Sequence, residues 1–400
     1  MTLSWKSILY LYICLYTFVS TVFFLVGVSG FSATPYIRAA YILPLLILTI
    51  FYVLKIGGIP KVEGAYARVV KVFVLFIPIW LGIGVSNGGL YLITDFLYGL
   101  LFILIFFVFY GSLRLNEVTQ SEFSSVLNKL VLITIGILDF NFIFGMSPPG
   151  LLLVFVSVYI VYRLSMFSDN KYMKLYLLFS VLMLATTGNR GYILSLVVVL
   201  VCIVFFVVDR RKMKIIVPTV IIIPIVIWSL FSAYLPSSIE RRFTETMHII
   251  EHGVSIENSL AIYQRFYEQQ VVFDTLNENI LLIPFGSGFG ATLNMTNSED
   301  DSVMNSQLLG AAKTHNIHFL HASILYRYGV VGMAIYLMFL CCAVYNLIKY
   351  KRNKNHPLFV YFNLYVVAVI AFSVPASSYL FVDPMLPISL AASDYFKDRS

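Results

Sequence analysis

Charge is scarce in this 400-residue chain: Asp, Glu, Lys and Arg together make up 12% of it, against 60% hydrophobic residues. Too little polar surface is available to cover a soluble fold of this size, and the mean hydropathy of +0.87 agrees. Cysteine is nearly lacking as well. The four present, Cys14, Cys202, Cys341 and Cys342, all lie in apolar stretches, so neither a disulfide framework nor zinc-ligand spacing exists. Strict alternation of apolar and polar residues is missing too. Runs such as 197–208 and 215–227 are continuously apolar, which excludes a transmembrane barrel. No basic run interleaved with aromatics occurs, so the net charge of +7 does not indicate a nucleic-acid partner.

What is present is a series of apolar stretches of about 20 residues, the length that crosses a hydrocarbon core of roughly 30 Å. The fold class expected is therefore all-α, a polytopic membrane protein whose backbone satisfies its hydrogen bonds inside helices. About twelve spans are predicted, near 8–28, 36–54, 70–86, 90–110, 126–144, 149–166, 172–187, 191–208, 213–231, 317–347, 357–373 and 379–395. The first is kept as a span rather than a cleaved signal, because its apolar stretch is longer than a typical signal core. Residues 1–231 then form the first nine transmembrane helices, 232–316 a large extracytoplasmic loop, and 317–400 the last three helices.

The cations fix the threading. Most of the 27 Lys and Arg residues fall in loops on one side, including Arg210, Arg211, Lys212 and Lys214 and, later, Lys349, Lys351, Arg352 and Lys354. By the positive-inside rule that side is cytoplasmic, both termini are cytoplasmic, and the long loop faces outward. Arg38, Arg190, Arg241, Arg242, Arg265, Lys313 and Arg327 run against this bias. A fixed anionic ligand such as a phosphate is one physical reason for arginines in that position.

The outer loop holds three of the six histidines, and two more follow it closely. Ile239, Phe243, Met247 and Ile250 recur at helical spacing, which predicts an amphipathic helix along the membrane interface. A second helix is predicted over 259–277, with Ile262, Phe266, Phe273 and Leu276 on its apolar face. The glycines of Phe285-Gly286-Ser287-Gly288-Phe289-Gly290 follow no strand and open no βαβ unit, so they read as tight turns with close backbone approach, not as a nucleotide loop. His315, His318 and His321 recur every third residue, and a metal held with His248 or His252 is rejected because no clear carboxylate accompanies them.

Three motifs now stand in order on the expected outer side. They are Thr187-Gly188-Asn189-Arg190-Gly191, then Arg265 followed by Pro284 and the glycine loop, then His315-Asn316 leading into Arg327-Tyr328-Gly329-Val330-Val331-Gly332. Together they resemble the O-antigen ligase and polymerase superfamily, which includes the Wzy-type polysaccharide polymerases. The resemblance runs over about 185–337; Asn189 and Arg327 stand where the family often has Ser and Glu. It implies a polyprenyl diphosphate-linked oligosaccharide as donor and transfer of its glycan to an acceptor hydroxyl. It also implies Arg190 and Arg265 as diphosphate-binding residues and His315 as the catalytic residue.

Elementary chemistry agrees with these roles. A departing diphosphate gains negative charge, which guanidinium groups neutralise by paired hydrogen bonds without a metal or other cofactor. A sugar hydroxyl is a poor nucleophile, and imidazole is suited to take its proton. Arg327 lies about 12 residues into the tenth span, roughly 18 Å along a helix. It is expected to bind diphosphate or to pair with Asp95, Asp139 or Asp383. The favoured reading is an O-antigen or capsular polysaccharide polymerase of a bacterial cytoplasmic (inner) membrane, in contact with membrane lipids and with a chain-length regulator as a further candidate partner. A ligase to a lipid core and, from a different class, a transporter of lipid-linked oligosaccharide are the alternatives.

Overall fold

The computed structural model describes residues 5–6, 9–10, 43, 46–54, 58–88, 91–143, 150–166, 190–207, 244–245, 248, 251–253, 260–295, 313–352, 357–375, 383 and 385–397. These form helices α1 (Ala65–Ser86), α2 (Leu92–Leu115), α3 (Gln120–Ile143), α4 (Gly150–Met166) and α5 (Arg190–Cys202), the last running into a π-helical turn, Ile203–Val207. Then come α6 (Leu260–Glu278), the single turn α7 (Leu282–Phe285), the two-residue strands β1 (Leu293–Asn294) and β2 (Lys313–Thr314), and helices α8 (Leu320–Arg352), α9 (Pro357–Ser373) and α10 (Met385–Phe396).

Four helices among the described residues, α1, α2, α3 and α8, are long and apolar enough to cross a membrane. Helices α4, α5, α9 and α10 and the helical residues 46–54 coincide with further expected spans. The stretch expected near 8–28 apart from residues 9–10, those near 172–187 and 213–231, and most of the interfacial helix expected over 239–250 lie outside the described residues.

The centre of the bundle is α9. Pro357 occupies its first position, where a missing N–H costs nothing, and every residue from Leu358 to Ser373 is buried. Helices α4, α5, α8 and α10 pack around it. A continuous apolar run is what such a position demands, since neither face meets water or needs a polar stripe. Its one amide, Asn363, ties four helices together: it accepts from Tyr66 Oη at 2.6 Å and Asn346 Nδ2 at 3.0 Å and donates to Ser393 Oγ at 2.9 Å. In an apolar surrounding each of those groups would otherwise be unsatisfied, so the node fixes the register of α1, α8, α9 and α10.

At the same end of α1, Asp394 of α10 accepts from the first-turn N–H groups of Tyr66 and Ala67, at 3.3 and 2.7 Å. It supplies the cap that Gly64 cannot.

Helix α8 is 33 residues long and breaks at Gly329, where φ is 63° and ψ −163°. The break frees the carbonyls of Tyr326 and Arg327, and the glycine loop after α7 satisfies them: Ser287 N–H donates to Tyr326 O at 2.7 Å and Gly288 N–H to Arg327 O at 2.9 Å. The sequence placed Arg327 deep within a continuous span. It lies instead on the loop side of the kink, at the eighth position of α8.

The same loop runs against the backbone of α1, with Phe289 N–H on Trp80 O at 3.1 Å. At Gly288, φ is +78° and a Cβ would lie 2.5 Å from Gly84 N and Trp80 O, so only glycine fits. The expectation of tight turns with close backbone approach holds. A small apolar core, with Val272, Leu276, Leu293, Ile317, Ala322 and Tyr326 among its members, joins α6 and the strand pair to the start of α8.

Candidate functional site

The site is assembled where that loop meets the bundle. Leu293 pairs with Thr314 and Asn294 with Lys313 in the antiparallel β1–β2 ladder. This register delivers His315 beside Ala291, and His315 Nδ1 lies 3.0 Å from the Ala291 carbonyl. Its other nitrogen, Nε2, lies 3.2 Å from Asp95 Oδ1. Asp95 sits in the first turn of α2, where a carboxylate is favoured by the helix end, and its second oxygen accepts from Gly290 N–H at 3.0 Å. The imidazole stacks on Tyr91, with centroids 3.9 Å apart and planes 8° apart. Arg327 donates through a terminal nitrogen to the His315 carbonyl and acts electrostatically on both Asp95 and His315. Its Nε is buried without a hydrogen-bond partner among the described residues.

His315 is thus clamped on three sides and buried. Burial, and after it the Arg327 guanidinium, push its pKa below the usual histidine value, while Asp95 and the Ala291 carbonyl pull it up. Both neighbours of the ring are oxygen acceptors, and a neutral imidazole has one N–H, so it is one proton short of satisfying both. The imidazolium would satisfy them, but the same burial and the nearby guanidinium oppose that charge. In either state no nitrogen offers a lone pair to a third group unless one of these contacts opens.

A second histidine pair lies alongside. Glu268 of α6, with 1% of its side chain exposed, receives His318 Nδ1 at 2.9 and 3.0 Å and the His318 backbone N–H at 3.0 Å. Gln264 Nε2 donates to it at 3.2 Å. His321 Nε2 meets Gln269 Oε1 at 3.0 Å. These bonds bind α6, which carries the partly buried Arg265, to the segment that carries His315.

Of the four residues expected from sequence, His315 and Arg327 are brought into direct contact, and Arg265 lies partly buried on α6, which packs against α8. Arg190 is the first residue of α5, with its side chain outside the described set. The sequence missed Asp95 as the partner of His315, having offered it only as a partner for Arg327. An ionisable residue one turn into an apolar helix was the available signal. It also found no carboxylate for the repeated histidines, whereas folding supplies Asp95 to His315 and Glu268 to His318. The metal-ligating group that the described residues do offer is the exposed cluster of His248, Glu251 and His252, whose ligand atoms lie within 4.8 Å of one another. None of His315, His318 and His321 belongs to it.

Residues 175–337 match the family model described as O-Antigen ligase. The matched segment contains Arg190, Arg265, the glycine loop, His315 and Arg327, and it supports the O-antigen ligase and polymerase superfamily. No curated protein matches the chain. A function of the general O-antigen ligase or polymerase type, carried out by a membrane protein resembling a glycosyltransferase, is thereby supported.

Proposed function

We propose that the protein is a polysaccharide polymerase of the bacterial cytoplasmic membrane, with both termini cytoplasmic and the loop outside. It transfers glycan from a polyprenyl diphosphate to a sugar hydroxyl of a second lipid-linked repeat unit, without a metal. The observation that carries this reading is the meeting of Asp95 with His315 and Arg327, the latter two inside the O-antigen ligase segment, at the mouth of an apolar bundle. There the lipid tail of the donor stays in hydrocarbon while its diphosphate reaches cationic groups.

Arg190, Arg265 and Arg327 are the proposed diphosphate-binding residues. Guanidinium forks match phosphate oxygens bidentately and neutralise the charge that grows as the anomeric bond breaks. His315 is the residue that resemblance assigns to proton abstraction; in that role its Nε2 leaves Asp95 for the acceptor hydroxyl.

The description of the matched family favours one second reading, a ligase whose acceptor is a finished lipid core. Deletion of the gene separates the two: surface glycan reduced to single capped repeats supports the polymerase, and loss of all attached glycan supports the ligase. Unchanged surface glycan would overturn both.

A further inference from the structure

We infer that the end of the bundle opposite the glycine loop carries a headgroup site for an anionic phospholipid, built by Arg68, Lys71 and Lys397. A cavity of about 320 Å³ opens there between the start of α1 and the end of α10, lined by these three cations, with Val62, Glu63 and Gly64 also on its wall. The glycine loop meets α1 at Trp80 and Gly84. The rise from Gly64 to Gly84 is about 30 Å along a helix at about 1.5 Å per residue. The cavity therefore lies at the membrane face proposed above as cytoplasmic, away from His315 and Arg327.

Charge identifies the ligand class. Arg68 and Lys71 are exposed and Lys397 partly so, and among the described residues none of the three forms an ion pair. Lys71 spends one donor on the Val62 carbonyl at 2.9 Å and keeps the others. Arg68 and Lys397 converge from different helices, since both act electrostatically on the Cys342 thiol of α8. The negative groups that face them are few. Glu63 lines the cavity, and Asp394 acts on Lys397 but gives its two oxygens to the N–H groups of Tyr66 and Ala67. Arg114 donates to the Lys61 carbonyl at 3.3 Å, which brings two further cations beside Val62. Five cations thus stand against two carboxylates, an imbalance that a phosphate satisfies by charge-assisted hydrogen bonds.

Orientation alone does not explain this arrangement. The positive-inside rule requires cations on that face but not their convergence on one cavity, and Lys129 satisfies it on the exposed surface of α3.

Shape then selects a lipid over a soluble anion. Arg68, Lys71, Leu75 and Ile79 follow one another at spacings of three or four residues, which sets them along one face of α1. Leu75 is 72% and Ile79 40% exposed, so the cationic end of that face runs into an apolar lane toward the membrane interior. A phospholipid has the same order, an anionic phosphate followed by hydrocarbon, whereas a free phosphate leaves the lane uncovered. Basic pockets between helices at a cytoplasmic face hold anionic headgroups by this logic. A zwitterionic lipid fits less well, because its ammonium would sit among the cations. Bound there, the headgroup joins α1 to the end of α10 and stabilises the folded chain by mass action.

The test takes the purified full chain in neutral detergent at fixed ionic strength and titrates it with phosphatidylglycerol, phosphatidylcholine or sodium phosphate. Retained lipid is counted by native mass spectrometry, and the melting temperature is followed in parallel. One phosphatidylglycerol per chain is expected to be retained in preference to phosphatidylcholine and to raise the melting temperature. Arg68→Gln/Lys71→Gln is expected to bind it about thirtyfold more weakly, at about fivefold per cation. Lys129→Gln/Arg163→Gln removes two cations of the same face that do not line the cavity, and it is expected to match the wild type. Glu63→Gln removes the carboxylate from the wall and is expected to bind phosphatidylglycerol more tightly. Equal retention of the two lipids, or equal affinity in the cavity and control variants, overturns the inference. Where the double cavity variant fails to fold, an affinity of Glu63→Gln no higher than that of wild type overturns it instead. Displacement of phosphatidylglycerol by an equal concentration of sodium phosphate would give the cavity to a soluble anion and overturn the lipid assignment. None of these readouts depends on glycan transfer, so the outcome is separate from the function proposed above.

Discussion

The carboxylate of Asp95 lies 3.2 Å from His315 Nε2 across 220 residues of sequence. That contact closes the junction between the long loop and the bundle, because the same carboxylate holds the last glycine of the loop through Gly290 N–H and faces the charge of Arg327. One side chain therefore sets the position of a histidine, a loop and a guanidinium.

Asp95→Asn is expected to keep one acceptor for Gly290 N–H but to lose the charge that balances Arg327, at about 1–3 kcal/mol of stability. Asp95→Ala leaves the guanidinium uncompensated in a buried site and is expected to cost about 3–5 kcal/mol. Thermal unfolding of the purified protein in detergent measures both. Equal melting temperatures for wild type and Asp95→Ala would show that the junction is not held by this carboxylate.

The kink of α8 gives a sharper structural prediction. At Gly329, φ is +63° and a Cβ would lie 2.4 Å from Pro284 O and 2.5 Å from Phe285 N. Gly329→Ala must therefore push α7 and the loop away while paying the left-handed conformation, for a loss of more than about 1–3 kcal/mol. Gly82 shares none of this; its Cβ would meet nothing within 4 Å. Gly82→Ala is expected to match the wild type in yield and melting temperature, and Gly329→Ala to fall well below it.

How much of this was legible in the sequence follows from what sequence encodes locally. Helices α1, α2, α4, α5 and α9 could be read from apolar run length because lipid and bundle interior impose one uniform demand on every residue of a span. The extent of helix α6 was equally legible from helical spacing, but Phe266 and Phe273 of its expected apolar face are exposed, and its core contacts run through Val272 and Leu276. The break at Gly329 was not legible, because a single glycine within an apolar run does not show whether a distant loop will take over the freed carbonyls. Pairing of Asp95 with His315 and of Glu268 with His318 was invisible for the same reason. It depends on the β1–β2 register and on the route of the glycine loop, both of which are properties of the folded chain. Sequence alone puts Arg327 too deep, because the apolar run starts near 317, three residues before α8, and carries no sign of the kink.

Acid is expected to loosen the His315 cluster. Because burial and Arg327 lower its pKa in the folded protein, the unfolded chain takes up that proton first as the pH falls. The stabilisation is complete above about pH 6.5, the ordinary histidine value, and is lost as pH falls through the lowered folded value. Melting temperatures of detergent-purified protein across this window should drop for the wild type. His315→Asn, which keeps a donor near the Ala291 carbonyl and cannot titrate, should show a shallower decline. Parallel curves would assign the acid sensitivity to other groups.

Arg265 provides the most direct check of the anion-binding side. It lies on the face of α6 that carries Glu268, and it is partly buried. If it grips the donor diphosphate, Arg265→Ala should abolish glycan transfer in cells while the protein accumulates normally, because the apolar contacts of α6 through Val272 and Leu276 are untouched. Arg265→Lys retains the charge but not the bidentate fork, so it should recover only part of the activity, with its loss concentrated at low donor concentration. A lysine variant as active as wild type would mean that charge alone suffices there. Wild-type glycan in Arg265→Ala would remove this residue from the donor site altogether.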